Sequence, residues 1–189
     1  MKVLNIILIT LFFLVLSCKN KTENNEVTEI GQPDFVQKYG KLFFDYDEIE
    51  YYHIDYDEKE NQILIPKNLK SKIKKLNLNL ELGDIQNDIK DVDFINKLEN
   101  IGFIKKEIDK SNFNEINEIF IEKKVKNPKY MKCLPIFRDI LVFKKKGKII
   151  GISKICFSCL QNQIIGTKSI TENFGQDGDY EKLKDILYD

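Results

Sequence analysis

The chain has 189 residues, 42% of them hydrophobic, and its 30 Lys and Arg are matched by 30 Asp and Glu. A balance this even creates no global field for nucleic acid or for an acidic surface, and a body of this size is served by one hydrophobic core. Alanine and tryptophan are missing, Arg138 is the single arginine, and Lys, Asn and Ile abound; this is the imprint of an AT-rich genome, so runs such as Lys144-Lys145-Lys146 read as solvated exterior.

Lys2 supplies a short positive start, Val3 to Leu16 is an apolar run broken only by Asn5 and Thr10, and Ser17-Cys18 closes it. A run of about fourteen residues is too short to span a bilayer core, which takes roughly twenty, and a small-residue exit favours cleavage. Residues 1–17 are therefore expected to be a removed signal peptide. Val15-Leu16-Ser17-Cys18 resembles the lipobox of bacterial lipoproteins, whose cysteine is lipidated, with palmitate among its chains, and becomes the new N-terminus. That resemblance implies lipidation at Cys18 and attachment to a membrane; the alternative is an ordinary secretory signal with an incidental Cys18. Residues 18–32 are polar, carry too little apolar surface to offset the entropy of ordering, and read as a flexible tether. Pro33 marks the start of a single globular domain over 33–189.

Within that body, Lys41 to Ile65 is rich in aromatic and β-branched residues, with Glu60-Asn61-Gln62 as a turn before Ile63-Leu64-Ile65, and predicts two or three strands. Ile89, Val92, Ile95 and Leu98 recur at helical spacing, with Asp91 near the start and Gly102 beyond the end. Ser111 is placed to cap a second helix in which Phe113, Ile116 and Phe120 share a face and which Asn127-Pro128 ends. Tyr130 to Cys159 reads as two apolar runs around a Lys145-Lys146-Gly147 turn. A last helix near Tyr180 to Leu187 carries Tyr180, Leu183 and Leu187 on one stripe, with Asp177 or Asp179 as its cap. The expected class is α+β: a mixed, mainly antiparallel sheet with a β-hairpin in the C-terminal half, packed by two or three short helices.

With Cys18 lipidated, Cys133, Cys156 and Cys159 remain. A three-residue loop ending in glycine is a common hairpin connection; if Lys145-Lys146-Gly147 is that loop, Lys144 faces Lys148, Arg138 faces Lys154, and Cys133 falls opposite Cys159, within disulfide reach. Cys156 would then point to the other face as a thiol. Pro135 interrupts the ladder before Cys133, and three cysteines permit three single-bridge pairings. Exported proteins occupy oxidising compartments, where a structural disulfide is expected. The sharper reading takes Cys156-Phe157-Ser158-Cys159 as a redox C-x-x-C, but the motif ends a strand, and Leu160 to Gly166 is not clearly helical. Leu160 stands where a c-type haem needs histidine. Structural zinc would have to recruit His53 beside the three cysteines, with no second C-x-x-C, so no metal or other cofactor is expected.

His53 is the only histidine and lies among Tyr51, Tyr52 and Ile54 on a predicted strand, where a half-exposed sheet position is the plainer reading. Arg138 and Asp139 are candidates for a structural ion pair, because arginine is preferred where planar, bidentate pairing is needed; Asp45, Asp47, Glu48 or Glu50 could supply a carboxylate to Arg138. The acidic run from Asp45 through Asp55 to Asp57 lacks the D-x-D-x-D-G spacing of a calcium loop, and no Gly-rich phosphate loop, H-E-x-x-H or G-x-S-x-G occurs.

Cys133-x-Pro135-x-x-Arg138-Asp139, followed by Cys156-Phe157-x-Cys159, is similar to a pattern in uncharacterised lipoproteins of Bacteroidetes. The resemblance implies an envelope location, at the periplasmic face of the outer membrane or on the cell surface, and supplies no activity. Lys19 after the cysteine is not the aspartate associated with inner-membrane retention. The sequence thus predicts a lipid-anchored, non-enzymatic binding or interaction domain whose partners are the membrane and an envelope protein, such as a toxin it inhibits or a protein it assists. The rival is a thiol enzyme using Cys156 or Cys159 with Cys133 as resolving partner.

Overall fold

The computed structural model describes residues 36–57, 62–63, 89 and 92–188, all within the compact unit Gln32–Asp189. The signal peptide, Cys18, the tether with Pro33, Glu60, Asn61, Leu64, Ile65 and Asp91 lie outside the described residues. Among the described residues, no helix is long and apolar enough to cross a membrane.

The fold is α+β. Strand β1 is Val36–Leu42, β2 Glu48–His53, β3 Tyr56–Asp57 and β4 Gln62–Ile63. Helix α1, Val92–Leu98, runs on into a 3₁₀ turn at Glu99–Ile101 and precedes β5, Ile104–Glu107. A second 3₁₀ turn, Lys110–Asn112, leads into α2, Phe113–Ile119, and then β6, Ile121–Val125. The remaining elements are β7 at Asp139–Lys145, β8 at Lys148–Cys156, β9 at Gln161–Ile165 and α3 at Asp179–Tyr188. Five strands form one sheet in the order β5-β2-β7-β8-β9, β1 pairs with β6 as a ribbon, and β3 with β4 as a short ladder. Every described ladder is antiparallel.

Alternation along the strands explains how one sheet feeds two cores. Leu141 and Phe143 of β7, with Ile49 and Tyr51 of β2, face a cluster that takes Ile116 and Ile119 from α2 and Tyr180, Leu183 and Leu187 from α3. Ile140, Val142 and Tyr52 face the other way, onto Phe94, Ile95 and Leu98 of α1. Ile95 and Leu98 of the predicted α1 stripe, and the whole predicted stripe of α3, are thus buried. Gly102 ends the first helical segment as expected, left-handed at φ 103°, its N–H bonded to the Glu99 carbonyl. At one sheet edge, β5 reads Ile-Lys-Lys-Glu and is exposed throughout; lysines there blunt edge-to-edge pairing.

Three local expectations are corrected. The hairpin turn has two residues, Lys146 and Gly147, both at positive φ (50° and 72°), because that geometry matches the strands' right-handed twist. Lys145 accordingly faces Lys148, and Ile150 is the extra residue of a bulge between the Phe143–Gly151 and Lys144–Ile149 pairs. The bulge sits beside a tight contact: a Cβ on Gly151 would lie 2.1 Å from the ring of Phe44, which stacks on Phe143 at 4.5 Å. Ser111 does not cap the second helix: it lies inside the preceding 3₁₀ turn, which Asp109 caps by accepting the Ser111 N–H at 2.8 Å and its hydroxyl at 2.7 Å, and the residue at the N-cap of α2 is Asn112, without a side-chain cap bond. The helix also ends at Ile119 instead of at Asn127-Pro128: Ile121 to Val125 goes to the ladder with β1, which satisfies its backbone groups across strands and not along a helix.

Candidate functional site

The end of the sheet where β2 finishes and β7 begins gathers the polar residues singled out from the sequence. His53 and Asp139 are direct partners across the β2–β7 ladder, which sets their side chains on one face, toward the last turn of α3. His53 Nδ1 lies 2.8 Å from Asp139 Oδ1, and Nε2 lies 3.2 Å from Asp55 Oδ1. The same Asp139 oxygen accepts from the Tyr51 hydroxyl at 2.6 Å and from the Tyr188 hydroxyl at 3.0 Å. Asp139 is buried, and such a carboxylate is tolerated because donors converge on it. The bond to Asp139 raises the pKa of His53 against the opposing effect of burial, with Asp55 adding to the rise. With a carboxylate at each ring nitrogen, the doubly protonated imidazolium satisfies both. Burial first, and then Asp139, raises the phenols of Tyr51 and Tyr188, so both serve as donors.

Asp139 therefore takes its partners from β2 and α3. Arg138, just outside β7, uses its carbonyl to accept the Ile54 N–H at 3.1 Å. Its expected position opposite Lys154 is corrected by the bulged register, which places Lys154 across from Ile140. The carboxylates suggested for Arg138 lie with lysines of the hairpin: Asp45 is 2.8 Å from Lys145, Asp47 accepts the Lys146 N–H at 3.0 Å, and Glu48 is 3.3 Å from Lys144. Glu50 is buried between Lys105 and Lys144 and accepts from the Tyr52 hydroxyl at 3.1 Å; burial works to raise its pKa, and the two lysines hold it below the usual range. Asp45, Glu48 and Glu50 of the acidic run are thus held in ion pairs with β-strand lysines. Among the described residues, no group of His, Cys, Asp and Glu is placed to hold a metal ion.

The cysteines stand close to this constellation. Cys133 and Cys159 are joined as a disulfide with Cα atoms 5.9 Å apart, and Cys156 is a buried free thiol. Of the three pairings the sequence left open, the one observed is the one the hairpin register pointed to, but its route is different: Cys133 lies in the irregular segment 126–138, outside β7, and the ladder does not extend to it. That segment is stitched down by other contacts. Gln161 Nε2 donates to the Cys133 carbonyl at 2.8 Å, and the Ile136 N–H donates to Cys156 Sγ at 3.3 Å.

After Cys156 the chain turns through 157–160, with Leu160 left-handed at φ 47°, and enters β9. Between this turn and α3 lies a cleft of about 460 Å³ whose walls include Arg138, Phe157, Ser158, Tyr180, Lys184 and Tyr188. Phe157 meets Tyr180 and Tyr188 edge-on, with ring centroids 6.4 and 6.0 Å apart. The cleft thus joins a basic rim, with Glu181 as its one acid, to an aromatic wall, and Tyr188 belongs both to it and to the His53–Asp139 cluster. Sequence reasoning named Arg138, Asp139 and the C-x-x-C but missed Tyr51, Ser158, Lys184 and Tyr188. The only available signal was the aromatic content of β2 and α3, which core packing also explains. No protein-family model, no curated protein and no solved structure matches this chain, and the functional reading rests on the geometry of the site.

Proposed function

We propose that the protein is a cell-envelope lipoprotein, held at a membrane by lipid on Cys18, whose soluble body is a binding module that takes its partner in the cleft between the 157–160 turn and α3. The carrying observation is that cleft itself, in which Arg138 and Lys184 stand beside Phe157, Tyr180 and Tyr188. Cations next to the exposed Tyr188 ring and the half-buried Phe157 ring suit a partner that presents a carboxylate on an apolar body. Binding is favoured over turnover because the groups best suited to acid–base work, His53 and Asp139, bond to each other and to two tyrosines, and neither lines the cleft.

Two measurements test the reading. Labelled palmitate is expected to enter the wild-type protein in a bacterial host and to be absent from Cys18→Ser; equal labelling of both ends the lipoprotein assignment. Phenylacetate, a carboxylate carried on an aromatic ring, is the minimal cleft probe. In an NMR titration its shifts are expected at Arg138, Ser158, Lys184 and Tyr188, and to be lost in Arg138→Gln/Lys184→Gln. Shifts scattered over the surface, or unchanged in the double variant, would remove the cleft from consideration.

A further inference from the structure

The three cysteines of the body meet in one place. Cys159 is buried and bridged to the exposed Cys133, while Cys156, also buried, packs with Cys159 and Phe137 in one small cluster. The sulfur of Cys156 receives the Ile136 N–H at 3.3 Å and lies 3.4 Å from the Ser158 hydroxyl oxygen. An amide N–H and a hydroxyl thus stand at the sulfur that would attack the bridge as its thiolate. On the other side of the bridge, Gln161 Nε2 lies 4.0 Å from Cys133 Sγ while it donates to the Cys133 carbonyl. An N–H donor is therefore already placed where a leaving sulfur would gather negative charge. Cys156 ends β8 and Cys159 lies in the turn that follows at once, so the two are held together by local backbone, whereas Cys133 arrives from a segment 26 residues away in sequence.

We infer that the body carries an internal thiol–disulfide exchange in which Cys156 attacks the sulfur of Cys159 and releases Cys133. A bond forms between the sulfurs of Cys156 and Cys159, the Cys133–Cys159 bond breaks, and its electron pair leaves on Cys133. The proton lost by Cys156 is matched by one gained at Cys133. One disulfide and one thiol exist before and after the step, so no oxidant or reductant is consumed. What changes is position: a buried thiol becomes an exposed one, on a segment that also presents Tyr130, Met131 and Leu134 to solvent. In that form the Cys133 thiolate can attack a partner's disulfide, forming a mixed disulfide as the partner's S–S bond breaks and its other sulfur leaves as a thiol. This activity goes beyond binding in the cleft and uses neither the lipid nor Lys184, so it stands or falls separately from the proposed function.

The test is alkylation of the oxidised full-length protein by iodoacetamide without reductant, from pH 6 to pH 8, followed by peptide mass mapping with the Cys18 peptide read separately. The expected result is label on Cys133 together with a linked Cys156–Cys159 peptide, at a rate rising about tenfold per pH unit while the thiolate is the minor form. Label on Cys133 is expected to vanish in Cys156→Ser and in Cys156→Ala, and the linked peptide in the wild type is a readout that needs no variant. Label on Cys156 alone with the Cys133–Cys159 bridge intact, label on Cys133 undiminished in the variants, or no label at all would each overturn the exchange.

Discussion

Lys154 is the least comfortable side chain in the fold. It lies on β8, 1% exposed, on the sheet face that packs against α1, and its ammonium nitrogen is 5.3 Å from the centre of the Phe94 ring. Among the described residues no hydrogen-bond partner reaches that nitrogen, nor the side-chain oxygen of Gln163, directly across the β8–β9 ladder. Burial lowers the lysine's pKa from 10.5 to about 8. Because the folded value is below the unfolded one, the folded state binds fewer protons, so stability rises with pH across the interval from about 8 to 10.5 and is lowest below it. A difference of this size is worth at most roughly 3 kcal/mol. Lys154→Met, which keeps the length of the side chain and removes the charge, is expected to stabilise the protein by about 1–3 kcal/mol at pH 7. Urea unfolding of both proteins at pH 7 and pH 10 checks this; the gap should narrow at the higher pH.

Helix α3 is fastened by polar contacts at both ends, to the β1–β6 ribbon at its start, where the contact is buried, and to the five-stranded sheet at its end. At its first residue, Asp179 pairs with Lys123 of β6 and accepts the Gly175 N–H at 2.8 Å, while Lys123 also donates to the Ile119 carbonyl at 3.2 Å. Burial moves both members toward their neutral forms, and each opposes that movement in the other. Removing one partner leaves the other stranded: Lys123→Met is expected to cost about 3–5 kcal/mol, and adding Asp179→Leu to recover much of it, measured by denaturant midpoints of the single and double variants. At its last residue, Tyr188 reaches Asp139 and His53. Since the folded pKa of His53 is raised, its contribution is complete below the unfolded value near 6.5 and is lost as pH rises through the folded value. Hydrogen exchange in α3 should therefore be slower, relative to a His53→Gln variant, at pH 6 than at pH 8. The Tyr180, Leu183 and Leu187 stripe of this helix was legible because core packing repeats at helical spacing. The Asp139 cluster was not, because Tyr188 follows His53 by 135 positions and no local pattern encodes their meeting. The strand β6 was misread as helix for a related reason: Ile119-Phe120-Ile121 is a continuous apolar run compatible with either period, and its partner β1 decides the matter.

Across the whole molecule, the disulfide ties the irregular segment 126–138 to the turn after β8. A Cys156–Cys159 bond would close a much shorter loop, so exchange gives up about 2 kcal/mol of loop-closure stabilisation; it trades rigidity of this segment for an exposed thiol. The legible hairpin and the illegible site both follow from the sheet order. Strands β7, β8 and β9 are neighbours in sequence and in space, whereas β2 lies between β5 and β7, and Leu141 follows its partner Tyr51 by 90 positions. The first half of the body has no central strand to build on until the hairpin has been synthesised. Folding must then wait for the C-terminal half, since closing so long a loop precedes any reward from contacts across it. A chain of this topology remains threadable until synthesis is nearly complete, which is the condition that passage across a membrane in extended form, as the proposed export requires, would impose.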